Sequence, residues 1–378
     1  MRITIVSETA FPQVNGVSRT LDRLVRHLCG QGDQVQLLVP AYSEPWDGDP
    51  EGARRLSFKA IPVPFYREIV IPFVGNARIR RELSNFGTDL VHVVTEGPLG
   101  WQGLRAARRL DLPLVTSYHT NFSQYMRYYH VGFVAPVLWR YLRWFHNRGA
   151  RTFCPSPSIC QMLMEKGFEN VQVWSRGVEC DTFHPDYADP ELRRSLGLAE
   201  NDVAILYAGR LASEKNLDVL MRAFLSLDSA HTAKLVLVGD GPFRGHLEGL
   251  ATDRVVFTGY KRGRELSALY ASCDLFVFPS LTDTFGNVML EAMASGVPAI
   301  GFDAPGPRDV IQDGTTGLVV AECTVQALAD AIGELLSDPD RRAAMAAEAR
   351  NHAERQTWDR INQVVRDAYG EVIARDQS

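Results

Sequence analysis

The stretch Phe278-Pro279-Ser280-Leu281-Thr282-Asp283-Thr284-Phe285-Gly286-Asn287-Val288-Met289-Leu290-Glu291-Ala292-Met293-Ala294-Ser295-Gly296-Val297-Pro298 reads as the end of a buried strand, a turn of small residues and a helix. Gly286 and Asn287 stand where the helix opens, and Gly296-Val297-Pro298 closes it. The first amides of a helix have no intrahelical partner and sit at the positive end of its dipole, so this turn suits phosphate oxygens. Asp283 precedes the turn and Glu291 follows it on the helix. One carboxylate can face a sugar and the other ribose hydroxyls.

The same grammar extends outward. In the second half, Ala204 to Ala208, Lys234 to Val238, Val255 to Thr258, Leu275 to Phe278 and Ala299 to Phe302 are short apolar runs separated by longer amphipathic stretches. In the first half, Ile3 to Ser7, Gln34 to Pro40, Leu90 to Val94, Leu114 to Tyr118 and Thr152 to Pro155 repeat the rhythm, with Val17 to Gly30 as a helix joining the first two. This alternation predicts an α/β fold of two Rossmann-like, doubly wound parallel-sheet domains. They span residues 1–176 and 201–356. Residues 177–200, rich in Asp, Pro and Glu, read as a linker. In residues 357–378 the apolar Trp358, Ile361, Val364, Val365, Tyr369 and Val372 keep helical spacing, and a helix crossing back to the first domain is expected. Ligands of open parallel sheets collect beyond the carboxyl ends of the strands.

Bulk properties narrow the class. The 378 residues exceed what one core usually covers, and 46% hydrophobic with 22% charged residues is ordinary for a globular chain. A net charge of -5 argues against nucleic acid as the main partner. The six cysteines are dispersed without a C-x-x-C pair, as in a reduced, cytoplasmic protein. The first residues, Met1 to Ser7, become polar too early for a signal peptide, and no run approaches the ~20 apolar residues that span a bilayer. Any membrane contact is expected to be peripheral, on the inner face of the cell membrane.

Other strand exits carry chemistry. Arg210 and Lys215, in Gly209-Arg210-Leu211-Ala212-Ser213-Glu214-Lys215, put two cations on one loop, as a diphosphate requires. The bland alternative is a capped, solvated turn. Gly239 and Gly241 make a tight turn, but without a third glycine at the right spacing they are no dinucleotide fingerprint. Gly16 ends the first strand's loop, where backbone could approach a phosphate or sugar. His119, in Tyr118-His119-Thr120-Asn121, lies at a strand end, as does Glu96. The triplet Asp47-Gly48-Asp49 sits in a Pro- and Gly-rich loop and reads as a surface turn, so no metal or other cofactor is expected. Tyr125 to Arg148 mixes aromatics with arginines, and Arg78, Arg80 and Arg81 add a basic group. Together they permit a lipid acceptor, although a buried helix whose Trp and Tyr fill the core explains the aromatics better.

In combination these motifs resemble the retaining glycosyltransferases of family GT4, which have the GT-B fold with two domains facing a cleft. The resemblance covers nearly the whole chain. It rests on the acid pair around Phe285-Gly286, the Arg210–Lys215 loop, the Gly16 loop and His119. It implies transfer of a hexose, with retention, from a nucleotide-diphosphate sugar to a hydroxyl acceptor. It implies a catalytic set of His119, Asp283, Arg210 and Lys215. Donor binding would add Gly16, Gly239, Gly241, Tyr260, Lys261, Phe285, Gly286, Asn287, Val288 and Glu291. Glu96, Tyr118 and Asn121 would line the acceptor pocket. The family usually has Glu where this chain has Asp283, one methylene shorter. Thr-Asp-Thr-Phe-Gly-Asn-Val and Tyr-His-Thr-Asn-Phe resemble the branch with mannosyl- and glucosyltransferases acting on glycolipids, which favours GDP-mannose, then a UDP-hexose. Two alternatives remain open: a nucleotide-sugar epimerase, and a non-catalytic nucleotide-sugar binding protein.

Overall fold

A computed structural model describes residues 1–63, 66–119, 135–199, 201–228 and 232–376. The chain divides into two compact units, Met1–Ser175 with Asp359–Ser378, and Arg176–Trp358.

The first unit contains β1 (Arg2–Val6), β2 (Gln34–Pro40), β3 (Ala53–Phe58), β4 (Ala60–Val63), β5 (Tyr66–Pro72), β6 (Leu90–Val93), β7 (Leu114–Ser117), β8 (Arg151–Cys154) and β9 (Val171–Val173). Seven of them form one sheet in the order β3-β2-β1-β6-β7-β8-β9. Every pairing in it is parallel. Strands β1, β6 and β7 are buried almost throughout, which explains their continuous apolar runs. Four strands of this unit escape that reading. The edge strand β3, Ala-Arg-Arg-Leu-Ser-Phe, is half exposed and carries two arginines, β9 is three residues long, and β4 and β5 form a separate antiparallel hairpin. Edges bury one side at most, so their apolar signal is weak.

The second unit contains β10 (Val203–Ala208), β11 (Ala233–Val238), β12 (Val255–Gly259), β13 (Leu275–Phe278), β14 (Ala299–Phe302) and β15 (Gly317–Val320). Their order is β12-β11-β10-β13-β14-β15, again all parallel. Both sheets thus run outward from a central strand in two directions, with the reversal between β1 and β6 in one and between β10 and β13 in the other. That reversal separates the loops after two adjacent strands and opens a crevice at their carboxyl ends.

Residues 176–199 pack with the second unit. Arg350 ties them down, donating from Nη1 to the carbonyls of Cys180 and Phe183 (3.3 and 3.0 Å) and to that of Ala294. The terminal helix Trp358–Asp376 packs in the first unit. Its Val365, Tyr369 and Val372 share a core cluster with Ile3, Ile5 and Leu24. A buried chain fastens it: the Tyr369 phenol lies 2.6 Å from His92 Nδ1, and His92 Nε2 lies 2.6 Å from Ser117 Oγ. Burial pushes the His92 pKa down to about 3, so the ring is neutral, with one donor and one acceptor to match these hydroxyls.

Candidate active site

In the second unit the reversal point is flanked by the loop after β10, residues 209–216, and the loop after β13, residues 279–286. Side chains and backbone lace these loops together. Thr282 Oγ1 donates to the Glu214 carbonyl (3.4 Å), and Asn216 Nδ2 donates to the Pro279 carbonyl (3.4 Å). Between them Lys215 Nζ donates to both carboxylate oxygens of Asp283, each at 2.8 Å. The two side chains are 16% and 24% exposed, so the pair is largely shielded from solvent. Arg210 on the same loop is exposed. Its carbonyl is held from below by the buried phenol of Tyr207, 3.0 Å away.

Gly239 is indispensable to this surface. Its φ is +137° and a Cβ there would lie 1.9 Å from the Gly209 carbonyl oxygen. The exits of β10 and β11 can therefore cross only because no side chain intervenes. Backbone bonds complete the crossing: Gly209 N to Val238 O, Leu211 N to Asp240 O and Gly239 N to Gly259 O, each 2.9 Å.

The helix Asn287–Ala294 begins at Gly286, which has a left-handed backbone (φ 84°) and offers no side-chain cap. Its first-turn amides thus face the reversal point with their dipole. Phe285 is buried and Asn287 and Val288 are half-buried. Glu291 stands one turn further, its Oε2 accepting from the Tyr270 phenol at 3.0 Å. At the exit of β12, Tyr260 is 58% exposed with the Arg262 guanidinium 4.8 Å from its ring centre. Lys261 Nζ reaches Glu265 Oε1 at 3.4 Å. The second unit thus gathers Arg210, Lys215, Asp283, the Gly286 turn and Glu291 around adjoining strand exits, with Gly239, Gly241, Tyr260 and Lys261 on the exits of β11 and β12.

In the first unit the reversal point lies between β1 and β6. Gly16 opens the helix Gly16–Gly30, which is capped by Asn15: its Oδ1 accepts from Ser18 N (2.9 Å), and Ser18 Oγ accepts from Asn15 N (2.9 Å). No described atom lies within 4 Å of where a Gly16 Cβ would sit, so packing within the chain does not demand glycine here. Glu96 follows β6 and turns inward, its Oε1 3.2 Å from Nε2 of the fully buried His146. Tyr118 is fully buried, packed by ring contacts with Trp139, His146 and Phe168. His119 is half-buried with its ring edge-on to Trp174, centres 5.4 Å apart. Asn121 and residues 125–134 of the aromatic stretch lie outside the described residues, while Ala135–His146 forms a helix whose Leu142, Phe145 and His146 are buried.

Several residues escape sequence reading. Glu8, at the end of β1, accepts from the amides of Leu99 (2.6 Å) and Gly100 (2.9 Å) at the start of helix Pro98–Arg109, and from the Thr95 hydroxyl. Burial raises its pKa to about 7, against the pull of those amides, and the nearby Glu96 charge pushes the same way. Tyr270 and Tyr207 look like core aromatics in the sequence, and only their phenol contacts reveal a connection to the site. Gly306, φ +96°, brings the β14 exit against the carbonyls of Phe285 and Asp283. The loop triplet Asp47-Gly48-Asp49 has a structural occupation: Asp49 accepts from Arg55 Nε and Nη2 (both 2.6 Å) and from Trp46 Nε1 (3.0 Å). Among the described residues no group of three or more His, Cys, Asp or Glu side chains could hold a metal ion. Among the same residues no helix is long and apolar enough to cross a membrane.

The chain resembles known proteins along nearly its whole length. Residues 14–182 match the family described as Glycosyltransferase Family 4, and residues 188–352 match Glycosyl transferases group 1. A GDP-mannose-dependent alpha-mannosyltransferase of Corynebacterium glutamicum is 32% identical, the match covering all of this chain and 90% of that protein. One of the same description from Mycobacterium tuberculosis is 34% identical over 92% of this chain and 91% of its own length. A sulfoquinovosyl transferase of Arabidopsis thaliana is 31% identical over 93% of this chain and 70% of its own. Among solved structures, Anabaena HepE in complex with UDP superposes with a TM-score of 0.79 at 20% identity, covering 98% of this chain and 100% of that one.

Proposed function

Because the chain belongs to glycosyltransferase family 4, with the GT-B fold, and is a hexosyltransferase that uses nucleotide sugars, we propose that it transfers mannose from GDP-mannose, with retention, to a hydroxyl of a glycolipid acceptor. The observation that carries this reading is the junction of the 209–216 and 279–286 loops at the reversal point of the second sheet. There Lys215 meets Asp283 beside the helix N-terminus at Gly286, with Arg210 on the same loop and Glu291 on the helix that follows.

In this reading the Gly286 turn, Arg210 and Lys215 hold the diphosphate. As the bond from the sugar's anomeric carbon to the diphosphate oxygen breaks, these groups stabilise the developing negative charge. The acceptor oxygen forms its bond to that carbon on the same face, and its proton passes to the departing diphosphate. Asp283 and His119 orient the sugar, Glu291 receives the ribose hydroxyls, and Tyr260 and Lys261 border the base beside Gly239 and Gly241. Gly16 leaves room for close backbone approach, and Glu96, Tyr118 and Asn121 belong to the acceptor side. No metal takes part. The two units act as donor and acceptor domains, with the terminal helix returning to the first, and the protein works in the cytoplasm, on the membrane's inner face.

The mannosyltransferase relatives, at 32–34% identity over nearly the whole chain, support the choice of sugar. A UDP-hexose donor is the second reading; the Arabidopsis sulfoquinovosyl transferase and the alpha-monoglucosyldiacylglycerol synthase of Streptococcus pneumoniae, 30% identical over 83% of this chain, favour a hexose other than mannose. The latter's name also motivates the glycolipid acceptor. A thermal-shift panel of GDP-, UDP- and ADP-sugars, followed by donor hydrolysis, tests the proposal. Stabilisation and turnover by GDP-mannose above the others are expected, and no stabilisation by any nucleotide sugar would sink it.

A further inference from the structure

The two cations of the 209–216 loop are in different states. The Arg210 guanidinium is exposed and, among the described residues, makes no ion pair, whereas Lys215 spends two of its three N–H donors on the oxygens of Asp283. The pair is largely shielded from water, so it is stronger than a surface ion pair and less screened by salt. A diphosphate arriving at this loop meets one available cation and one already neutralised. It must draw Lys215 away from Asp283 or share it, with the carboxylate charge close by.

From this geometry we infer that Asp283 is a positioning residue that competes with the diphosphate for Lys215 and so speeds release of the nucleoside diphosphate product. The inference rests on the proposed donor site. During transfer the leaving diphosphate gains negative charge and outcompetes the single charge of Asp283 for the ammonium. After transfer the product is opposed by a carboxylate whose oxygens already match Lys215, and re-forming the ion pair restores the resting site. Both cations serve the transition state, while only Arg210 binds the product without competition. Tight ground-state binding that is not matched in the transition state does not accelerate the reaction, and a bound product blocks the next turnover. The carboxylate at position 283 thereby has a role in the resting enzyme even when no sugar is present.

The test is titration of the full chain with GDP and, separately, with UDP, neither of which carries a sugar. Asp283→Asn keeps the shape and removes the charge, and its nucleoside diphosphate affinity is expected to rise about tenfold, the scale of one charge contact in a shielded site, while multiple-turnover transfer slows and product inhibition deepens. Damage to the fold weakens binding, so a tightening cannot come from misfolding. Asp283→Glu keeps the charge and is expected within about twofold of the parent. In a Lys215→Ala background the Asn substitution should change affinity by less than about threefold. Unchanged or weaker binding by Asp283→Asn, or a full tenfold gain without Lys215, overturns the inference while leaving the transferase reading intact. Binding of neither nucleotide by the unaltered protein overturns both.

Discussion

Arg210 packs against little and pairs with no described acid, so its removal separates catalysis from folding. Arg210→Ala is expected to lower transfer by about 10²–10³-fold, the usual loss for one transition-state charge contact, with an unchanged unfolding midpoint. Parallel kinetics and thermal melts check both halves of that statement. Glu8 behaves in the opposite way, because its cost falls on stability. Its pKa is raised by burial from 4.5 to about 7, so the protonated carboxyl costs the folded state nothing below 4.5, and stability is lost as pH rises from there through 7. Glu8→Gln, a neutral isostere, should therefore match the parent's unfolding midpoint near pH 4 and exceed it at pH 8. A variant that is less stable than the parent at pH 8 would show that the carboxylate's bonds to the Leu99 and Gly100 amides outweigh its desolvation.

At the level of elements, the loops and the terminal helix are fixed by a few contacts that single changes can break. Gly239→Ala places a methyl group 1.9 Å from a backbone oxygen that cannot rotate away, in a backbone region hostile to side chains. A loss of about 2–4 kcal/mol is expected, read by urea unfolding, and nucleotide binding should weaken with it because Arg210 and Lys215 ride on the displaced loop. In the first unit, Tyr369→Phe removes the phenol from His92 Nδ1 and leaves a fully buried ring nitrogen without that partner. The cost should be about 1–3 kcal/mol, with no direct effect on donor affinity. Equal stability of the Phe variant would mean that His92 finds another partner in the core.

For the molecule as a whole, the division into units sets which pieces can fold. Residues 176–358 contain an entire six-stranded sheet with its own core and the proposed donor site. Expressed alone, this segment should unfold cooperatively and bind a nucleoside diphosphate. The first unit takes its core from both ends of the chain, since Val365, Tyr369 and Val372 of the terminal helix pack with strands β1 and β2. Removing residues 359–378 should therefore expose apolar surface in the first unit, seen as dye binding and aggregation, and leave the second unit's transition in place.

The sequence by itself determined the two parallel sheets, because strands buried on both faces must be apolar runs, and those runs survive averaging over a short window. It also determined the positions of Arg210, Lys215, Asp283 and the Gly286 turn at strand exits, since strand, turn and helix follow one another locally there. It did not determine β3, β9 or the β4–β5 hairpin, whose edge positions require few apolar residues, nor β15, a four-residue edge strand that opens on glycine. Only the tertiary structure decided that Lys215 belongs to Asp283, that Tyr270 holds Glu291, that Glu96 turns inward to His146, and that Tyr369 reaches His92. Those partners are separated by tens to hundreds of residues. Their pairing depends on which strands lie side by side at each sheet's reversal point, and no local pattern of residues encodes that.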